Sequence, residues 1–271
     1  MKNSIIYLTL FLFFFCLLEN NIKAQINIVR VDIDTSMHYY ENSDTNYALF
    51  NSKKAILSKI FDGKYDSSEC KIIWNLGKLK QIKLSDDGLC HTNIDDILYF
   101  QKGENKFAVV ILRTVEYFGG IANSCAGCSP NIGIALFQQS NLDWALIKSN
   151  PNICELGQGG EVPEKTIVQI GKNDFALSLV GSELAGGAPI GTEYEYLYFL
   201  DENKFGDLVF NYNKAILLNI ESVIVQESQI EFIKSDNKRY YDIKIVSKQY
   251  DYDKEPKKLI KLLPEKIKKI Q

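Results

Sequence analysis

The sequence predicts a mainly β protein, an antiparallel meander of hairpins, and three observations carry that prediction. From Cys70 onward the chain runs as short apolar segments broken by polar turns, the pattern of half-buried strands. Four turns share a theme: Gly103-Glu104-Asn105-Lys106-Phe107, Gly171-Lys172-Asn173-Asp174-Phe175, Asp201-Glu202-Asn203-Lys204-Phe205 and Ser235-Asp236-Asn237-Lys238, with Ser140-Asn141-Leu142-Asp143-Trp144 a looser fifth. They recur roughly every 30–37 residues, one hairpin plus one longer connection, whereas a four-stranded propeller blade takes ~40 or more. An open twisted sheet, a barrel and a degenerate propeller all remain compatible with that spacing.

The first element is a leader. Met1-Lys2-Asn3-Ser4 gives a cationic start, Ile5 to Leu18 is almost wholly apolar, and Ala24 in Ile22-Lys23-Ala24-Gln25 offers a small residue for cleavage. These are the three parts of a secretory signal. The apolar run is about 14 residues, short of the ~20 that a permanent membrane-spanning helix needs. Phe15 stands before Cys16 where lipid attachment requires a small residue. Residues 1–24 are read as a signal peptide, 25–69 as an N-terminal segment with one helix, 70–255 as the antiparallel β domain and 256–271 as a basic C-terminal segment. No second apolar run of spanning length follows, so the mature chain is expected to be exported, periplasmic or extracellular, without a transmembrane helix.

In the N-terminal segment Ile28, Val31 and Ile33 suggest an edge strand. Apolar residues at 49, 50, 56, 57, 60 and 61 then form a helical stripe, with Asp44 or Thr45 placed to cap it and Asp62-Gly63 to stop it. Strands are expected at Lys71 to Asn75, Leu79 to Leu84, Ile97 to Phe100 and Phe107 to Val115; the last is nearly continuous in apolar residues, as suits a central strand. Glu193 to Leu200 reads as another. At the end of the chain Leu259, Leu263, Ile267 and Ile270 fall at near-helical spacing among six lysines, with Pro264 against one continuous helix. A small helical segment packed on the sheet, its lysines solvated, is expected there; the alternative is a basic amphipathic element for a membrane surface or partner.

Composition narrows the function. Removing Lys2, Lys23 and Glu19 with the leader takes the net charge from −3 to −4, which is no footprint for nucleic acid. Five of the six cysteines remain after cleavage: Cys70, Cys90, Cys125, Cys128 and Cys154. In an oxidising compartment all five are disulfide candidates. Cys70 with Cys90 is the first pairing to test, because the two flank a predicted hairpin.

The most distinctive segment runs from Asn123 to Phe137 and reads C-x-x-C-x-P-x-I-G-x-A-x-F through Cys125, Cys128, Pro130, Ile132, Gly133, Ala135 and Phe137, with Trp144 following. This resembles a segment of exported bacterial proteins in which a C-x-x-C loop opens a β-hairpin ending at a Trp. The resemblance covers Ile121 to Glu183, including the Gln169-Ile170-Gly171 turn; it implies export and a β fold and carries no activity. Many such proteins have a His inside the C-x-x-C where this chain has Ala126-Gly127.

Three roles compete for the Cys125/Cys128 pair. A redox dithiol needs its first thiolate at a helix N-terminus, and Pro130 followed by a strand-like run supplies none. Zinc needs four ligands, and Cys154, His91 and Cys70 lie at no recognisable second-pair spacing. A structural disulfide, within the pair or from one member to Cys154, is the favoured reading.

Other constellations are weaker. His91 follows Cys90 and precedes Asp95-Asp96 but lacks a strained nucleophile turn, and is read as a surface or turn histidine. Asp86-Asp87, Asp95-Asp96 and Glu193/Glu195 would have to supply the two carboxyls of a hydrolase; they are read as solvated. The Gly181–Gly191 stretch leads into a strand, where a phosphate cradle would need a helix. Period-two geometry puts Tyr194, Tyr196 and Tyr198 on one face, either a candidate ligand-binding row for glycan or peptide or a half-buried sheet face whose hydroxyls reach water. The expectation is therefore an exported, non-enzymatic protein binding a protein or envelope ligand, or a structural accessory, with no cofactor. The alternatives are a thiol–disulfide redox protein using Cys125 and Cys128, or a carboxylate-based hydrolase.

Overall fold

The computed structural model describes residues 52–77, 82, 84–123, 128–140, 143–157, 160–183, 192–219, 223–235, 237–254 and 256–270. Every described residue belongs to one compact unit, Tyr39–Gln271. The leader, the Ile28–Ile33 strand and Cys125 lie outside the described residues.

Antiparallel sheets dominate, as the turn pattern requires. The first sheet has the order β1 (Gly63–Asp66), β2 (Lys71–Trp74), β3 (Cys90–Lys102), β4 (Asn105–Val115), β7 (Asn131–Ser140) and β8 (Asp143–Glu155). Between β4 and β7 the chain makes a small two-stranded hairpin, β5 (Tyr117–Phe118) and β6 (Ile121–Ala122). The second sheet runs as an unbroken meander from β9 (Glu164–Gln169) through β10 (Phe175–Glu183), β11 (Thr192–Phe199), β12 (Leu208–Asn219), β13 (Ile224–Ile233) and β14 (Asp242–Asp251) to β15 (Lys258–Leu262). A last strand, β16 (Lys266–Lys269), pairs with β14 beside β15. All five themed turns join consecutive antiparallel strands. Gly103 adopts φ +61° in the β3–β4 turn, a left-handed conformation that costs a side-chain-bearing residue more.

The expected helix exists in shorter form. Helix α1 spans Lys53–Ile60, and its cap is Ser52, whose hydroxyl accepts from the Ala55 N–H, in place of Asp44 or Thr45. Ile56 and Leu57 are buried against the first sheet, joining Phe61, Ile72, Trp74, Cys90, Ala108, Val110, Leu112, Phe137 and Trp144 in one core. Because β1 pairs with β2, this helix-bearing segment and the strands after Cys70 share a single sheet.

Alternation along β4 aims Ala108, Val110 and Leu112 at the helix; Phe107, Val109 and Ile111 therefore point to the opposite face, and all of these are buried. That opposite face receives the second sheet. Phe100 of β3 lies 5.0 Å from Phe175 of β10, Lys165 of β9 pairs with Asp95 of β3, and Leu156 packs where a side chain on Gly181 would stand. The far face of the second sheet curls around its own core of Ile170, Ala176, Leu197, Phe199, Tyr240 and Ile243. The bridge Gly171–Tyr240 and the bond from the Tyr241 N–H to the Ile170 carbonyl, 2.8 Å, tie its first strand toward the start of β14. The second sheet is thus half closed and the first is open. Among the described residues no helix is long and apolar enough to cross a membrane.

The expected C-terminal helical segment is instead strand: β15 and β16 lie along β14, with Pro264 between them. Leucines and isoleucines at near-helical spacing also satisfy two short strands, and β14 offered an unpaired backbone edge that a helix would have left open. The Cys70–Cys90 disulfide is not formed, and Cys70, Cys90 and Cys154 are free thiols. Trp74 pairs with Cys90 and Lys71 with Asn93, so Cys70 lies some four residues along the ladder from Cys90. That is roughly 13 Å at ~3.3 Å per residue, beyond the ~7 Å Cα separation that a disulfide tolerates. Cys128 is disulfide-bonded, its partner lying outside the described residues.

Candidate functional site

Three turns of one composition converge at one end of the two sheets around a cleft of about 150 Å³. The β3–β4 hairpin contributes Phe100, Lys102 and Phe107, and β7 adds Leu136; the β9–β10 turn brings Asn173, Asp174 and Phe175, and the β11–β12 turn Leu200, Asp201, Glu202 and Asn203. Another themed turn, outside the lining, leads into Arg239, whose guanidinium pairs with both Asp174 and Asp201. Gly206 permits this assembly. A Cβ there would meet Asn150 and Ile153 of β8 at 2.8 Å, and its φ is +81°, so the β11–β12 turn can approach the first sheet only with glycine at that position.

The floor is aromatic and aliphatic. Phe100 stacks on Phe107 with centroids 5.2 Å apart and tilts against Phe175 at 5.0 Å, offset geometry that favours ring pairs. The rim is polar. Arg239 Nη2 donates to Asp174 Oδ1 at 2.9 Å and also to Asp201, while the guanidinium carbon sits 4.9 Å from the Tyr240 ring centre. Asp201 Oδ1 accepts from the Asn203 N–H at 2.9 Å. Burial pushes the Asp201 carboxyl up, but the Asn203 N–H and the Arg239 and Lys102 charges outweigh it and hold the group below the ordinary carboxylate value. Hydrogen bonding to Asp174 holds Arg239 firmly in its charged form. Both carboxylates are fixed from behind, and Lys102, Asn173, Glu202 and Asn203 remain exposed at the mouth. Such a cleft can sandwich an apolar ligand face on the phenylalanines while rim groups accept and donate hydrogen bonds. It is less suited to acid catalysis, because a general acid must retain its proton.

The residues singled out from sequence are dispersed. Tyr194, Tyr196 and Tyr198 do share a face and stand in ring contact, with centroids 6.2 and 6.4 Å apart. That face is laid against the first sheet, so the row is no exposed platform: Tyr198 is buried and Tyr194 and Tyr196 half-buried. Glu195, on the other face, accepts from Ser178 and Tyr212, both at 2.6 Å. Asp95 and Asp96 were read as solvated; a register shift in β3 lets both reach Lys165.

His91 departs furthest from its reading as a surface or turn residue. It lies inside β3, is 5% exposed, donates from Nε2 to the carboxylate Oδ2 of Asp87 at 2.9 Å and stacks on Tyr117 at 4.5 Å. Lys71 Nζ sits 3.7 Å above the same Tyr117 ring, and Glu69 accepts from both Lys71 and the Tyr117 hydroxyl. The cluster is a stack of ring, ring and cation locked by two carboxylates. His91 Nδ1 has no hydrogen-bond partner among the described residues.

The cleft itself was not anticipated, although its signal was present: the repeated Asn-x-Phe turns were the most regular feature of the chain. Comparison with known protein families, characterised proteins and solved structures found no match. Fold and site together define a two-sheet antiparallel β protein with a cleft built from its hairpin turns.

Proposed function

We propose that this chain is an exported, non-enzymatic binding protein of the cell envelope, and that its turn-lined cleft takes a small ligand with an apolar face and several hydroxyls, as a sugar residue has. One observation carries the reading: three turns of the same composition, far apart in sequence, meet around a cleft with a phenylalanine floor and a rim of carboxylate, amide and ammonium groups. A flat apolar patch under a ring of hydrogen-bonding groups matches a sugar ring, whose C–H face and hydroxyl edge ask for those two environments. The carboxylates support binding over hydrolysis, since Arg239 and the Asn203 N–H favour the ionised acceptor form of Asp201. The expected leader, and the resemblance of the C-x-x-C segment to exported bacterial proteins, support a site of action outside the cytoplasm.

The test is calorimetric titration of the mature chain with neutral, N-acetylated and acidic oligosaccharides, alongside a Glu202→Ala/Asn203→Ala variant. Both side chains are exposed, so the variant should keep the wild-type melting temperature. Binding of at least one saccharide class, weakened roughly tenfold in the variant by the loss of about 1.4 kcal/mol of rim hydrogen bonding, is the expected outcome. Absence of binding across the panel, or equal binding by the variant, removes the reading. Amino-terminal sequencing of the exported protein should begin at Gln25.

A further inference from the structure

The last two strands place apolar and basic side chains where the cleft makes no use of them. β15 and β16 lie end to end along the outer side of β14 and form the edge of the second sheet. Register decides which way each side chain points. Leu259 pairs with Tyr250, Leu262 with Lys248 and Ile267 with Lys244. All three apolar residues therefore share the convex face of the sheet, because directly paired residues lie on one face. Lys266 and Lys268 pair with Ile245 and Ile243, which belong to the concave core, so these lysines point the other way. Lys261, paired with Gln249, joins them.

The apolar row is open. Leu259, Leu262 and Ile267 are 46, 63 and 61% exposed, and Ile260, at a register shift, is 50%. Lysines bracket the row: Lys248 and Lys244 inboard on the same face, Lys258, Lys261, Lys266 and Lys268 on the flank. The stretch from Lys257 to Ile270 holds six lysines and one acidic residue, Glu265, in a chain of net charge −3. An edge strand guarded by lysine resists pairing with a second copy of itself, since the two rows of like charge would meet. Apolar side chains projecting from a basic surface, with long lysine stems able to reach around the edge, are what an interfacial membrane contact requires.

We infer that the β15–β16 edge docks on an anionic lipid surface, with Leu259, Leu262 and Ile267 entering the headgroup boundary and the lysines meeting lipid phosphates. Charge complementarity selects this occupant: the edge is cationic on a protein that is acidic elsewhere. The docking does not depend on the cleft.

The experiment is co-sedimentation of the full mature chain with vesicles of phosphatidylcholine alone and of phosphatidylcholine mixed with phosphatidylglycerol. Binding should favour the mixed vesicles and fall as salt rises. Lys261→Gln/Lys268→Gln should weaken it, roughly fivefold per lysine removed, and Leu262→Ser/Ile267→Ser should weaken it at unchanged melting temperature and unchanged oligosaccharide binding. Equal sedimentation with both vesicle types, or insensitivity to both variants, overturns the inference. So does a concentration-dependent dimer in light scattering that Leu262→Ser/Ile267→Ser abolishes, which would make the edge an interface between copies. Retention of the chain by an acidic peptide with no affinity for the mixed vesicles would equally overturn it.

Discussion

Tyr198 and Cys154 face each other across the interface of the two sheets, close enough that each bears on the other's ionisation. Tyr198 comes from β11 in the second sheet and Cys154 from β8 in the first, so the contact joins residues that sequence alone gave no reason to pair. It explains why the tyrosine row cannot be a platform: the row is the inner lining of the sheet-to-sheet contact. Tyr198→Phe keeps the ring and removes the hydroxyl, and should cost about 1 kcal/mol. Tyr198→Ala also opens a cavity and should cost about 3–5 kcal/mol. Urea unfolding of the two variants separates the hydroxyl from the ring.

Thiol reactivity should divide the free cysteines. Cys70 is exposed and Cys90 buried, and burial pushes the thiols of Cys90 and Cys154 up to about 11. Only the thiolate reacts quickly. Titration of the folded protein with an aromatic disulfide reagent at neutral pH should therefore label Cys70 rapidly, with Cys90 and Cys154 following only in denaturant. Rapid labelling of Cys154 would mean that the two sheets do not close as described, and rapid labelling of Cys90 that the helix does not cover the first sheet.

The same two thiols set an alkaline limit. Their folded-state values, about 11, stand above the ordinary 9.0, so between these values the unfolded chain releases protons that the folded chain keeps. Stability linked to them is fully present below pH 9 and declines as pH rises toward 11. The midpoint of urea unfolding should fall over that interval in the wild type and fall less in Cys90→Ala/Cys154→Ala. The comparison is one of slopes, so the variant's lower starting stability does not obscure it.

Arg239 should matter more to the cleft's carboxylates than its position in a turn suggests. Its side chain is 53% exposed, but Asp174 and Asp201 are 8 and 10% exposed. Arg239→Ala should cost about 2 kcal/mol, less than the ~3–5 of a fully buried pair because water reaches half of the guanidinium side chain. Asp201 is held below its ordinary value of 3.8. Its contribution is therefore present above that value and is lost as pH falls through the lower folded-state value. Acid unfolding of Arg239→Ala should begin at higher pH than that of the wild type.

The local part of this fold was legible and the assembly was not. A polar turn followed by a phenylalanine is a statement about a few neighbouring residues, and each such turn proved to join two antiparallel strands. Alternation correctly put the three tyrosines on one face, but which face is covered depends on how β11 meets β8, some forty residues earlier. Cys90-His91-Thr92-Asn93 looks polar because its one buried imidazole is matched by Asp87 and Tyr117 rather than by apolar neighbours. The cleft needed both sheets in place before three turns could meet. At the C-terminus, four apolar residues among lysines suited a helix or two strands, and the open edge of β14 decided between them.

Lys165 tests how firmly the sheets are joined. It belongs to β9, yet its ammonium binds Asp95 of β3, with Asp96 at 3.9 Å. The Lys165 and Asp95 side chains are 17 and 16% exposed, so this pair is poorly screened by solvent. Lys165→Met keeps the aliphatic stem and strands the Asp95 charge, which should cost about 3 kcal/mol. Asp95→Asn strands the ammonium and should cost a similar amount or somewhat less, because Asp96 remains in reach. The double variant removes both charges and should recover most of the loss, leaving a coupling of about 1.5–3 kcal/mol in a double-mutant cycle measured by urea unfolding. Additive losses would show that β3 and β9 are held by their apolar neighbours alone and that the ion pair is incidental to the packing of the sheets.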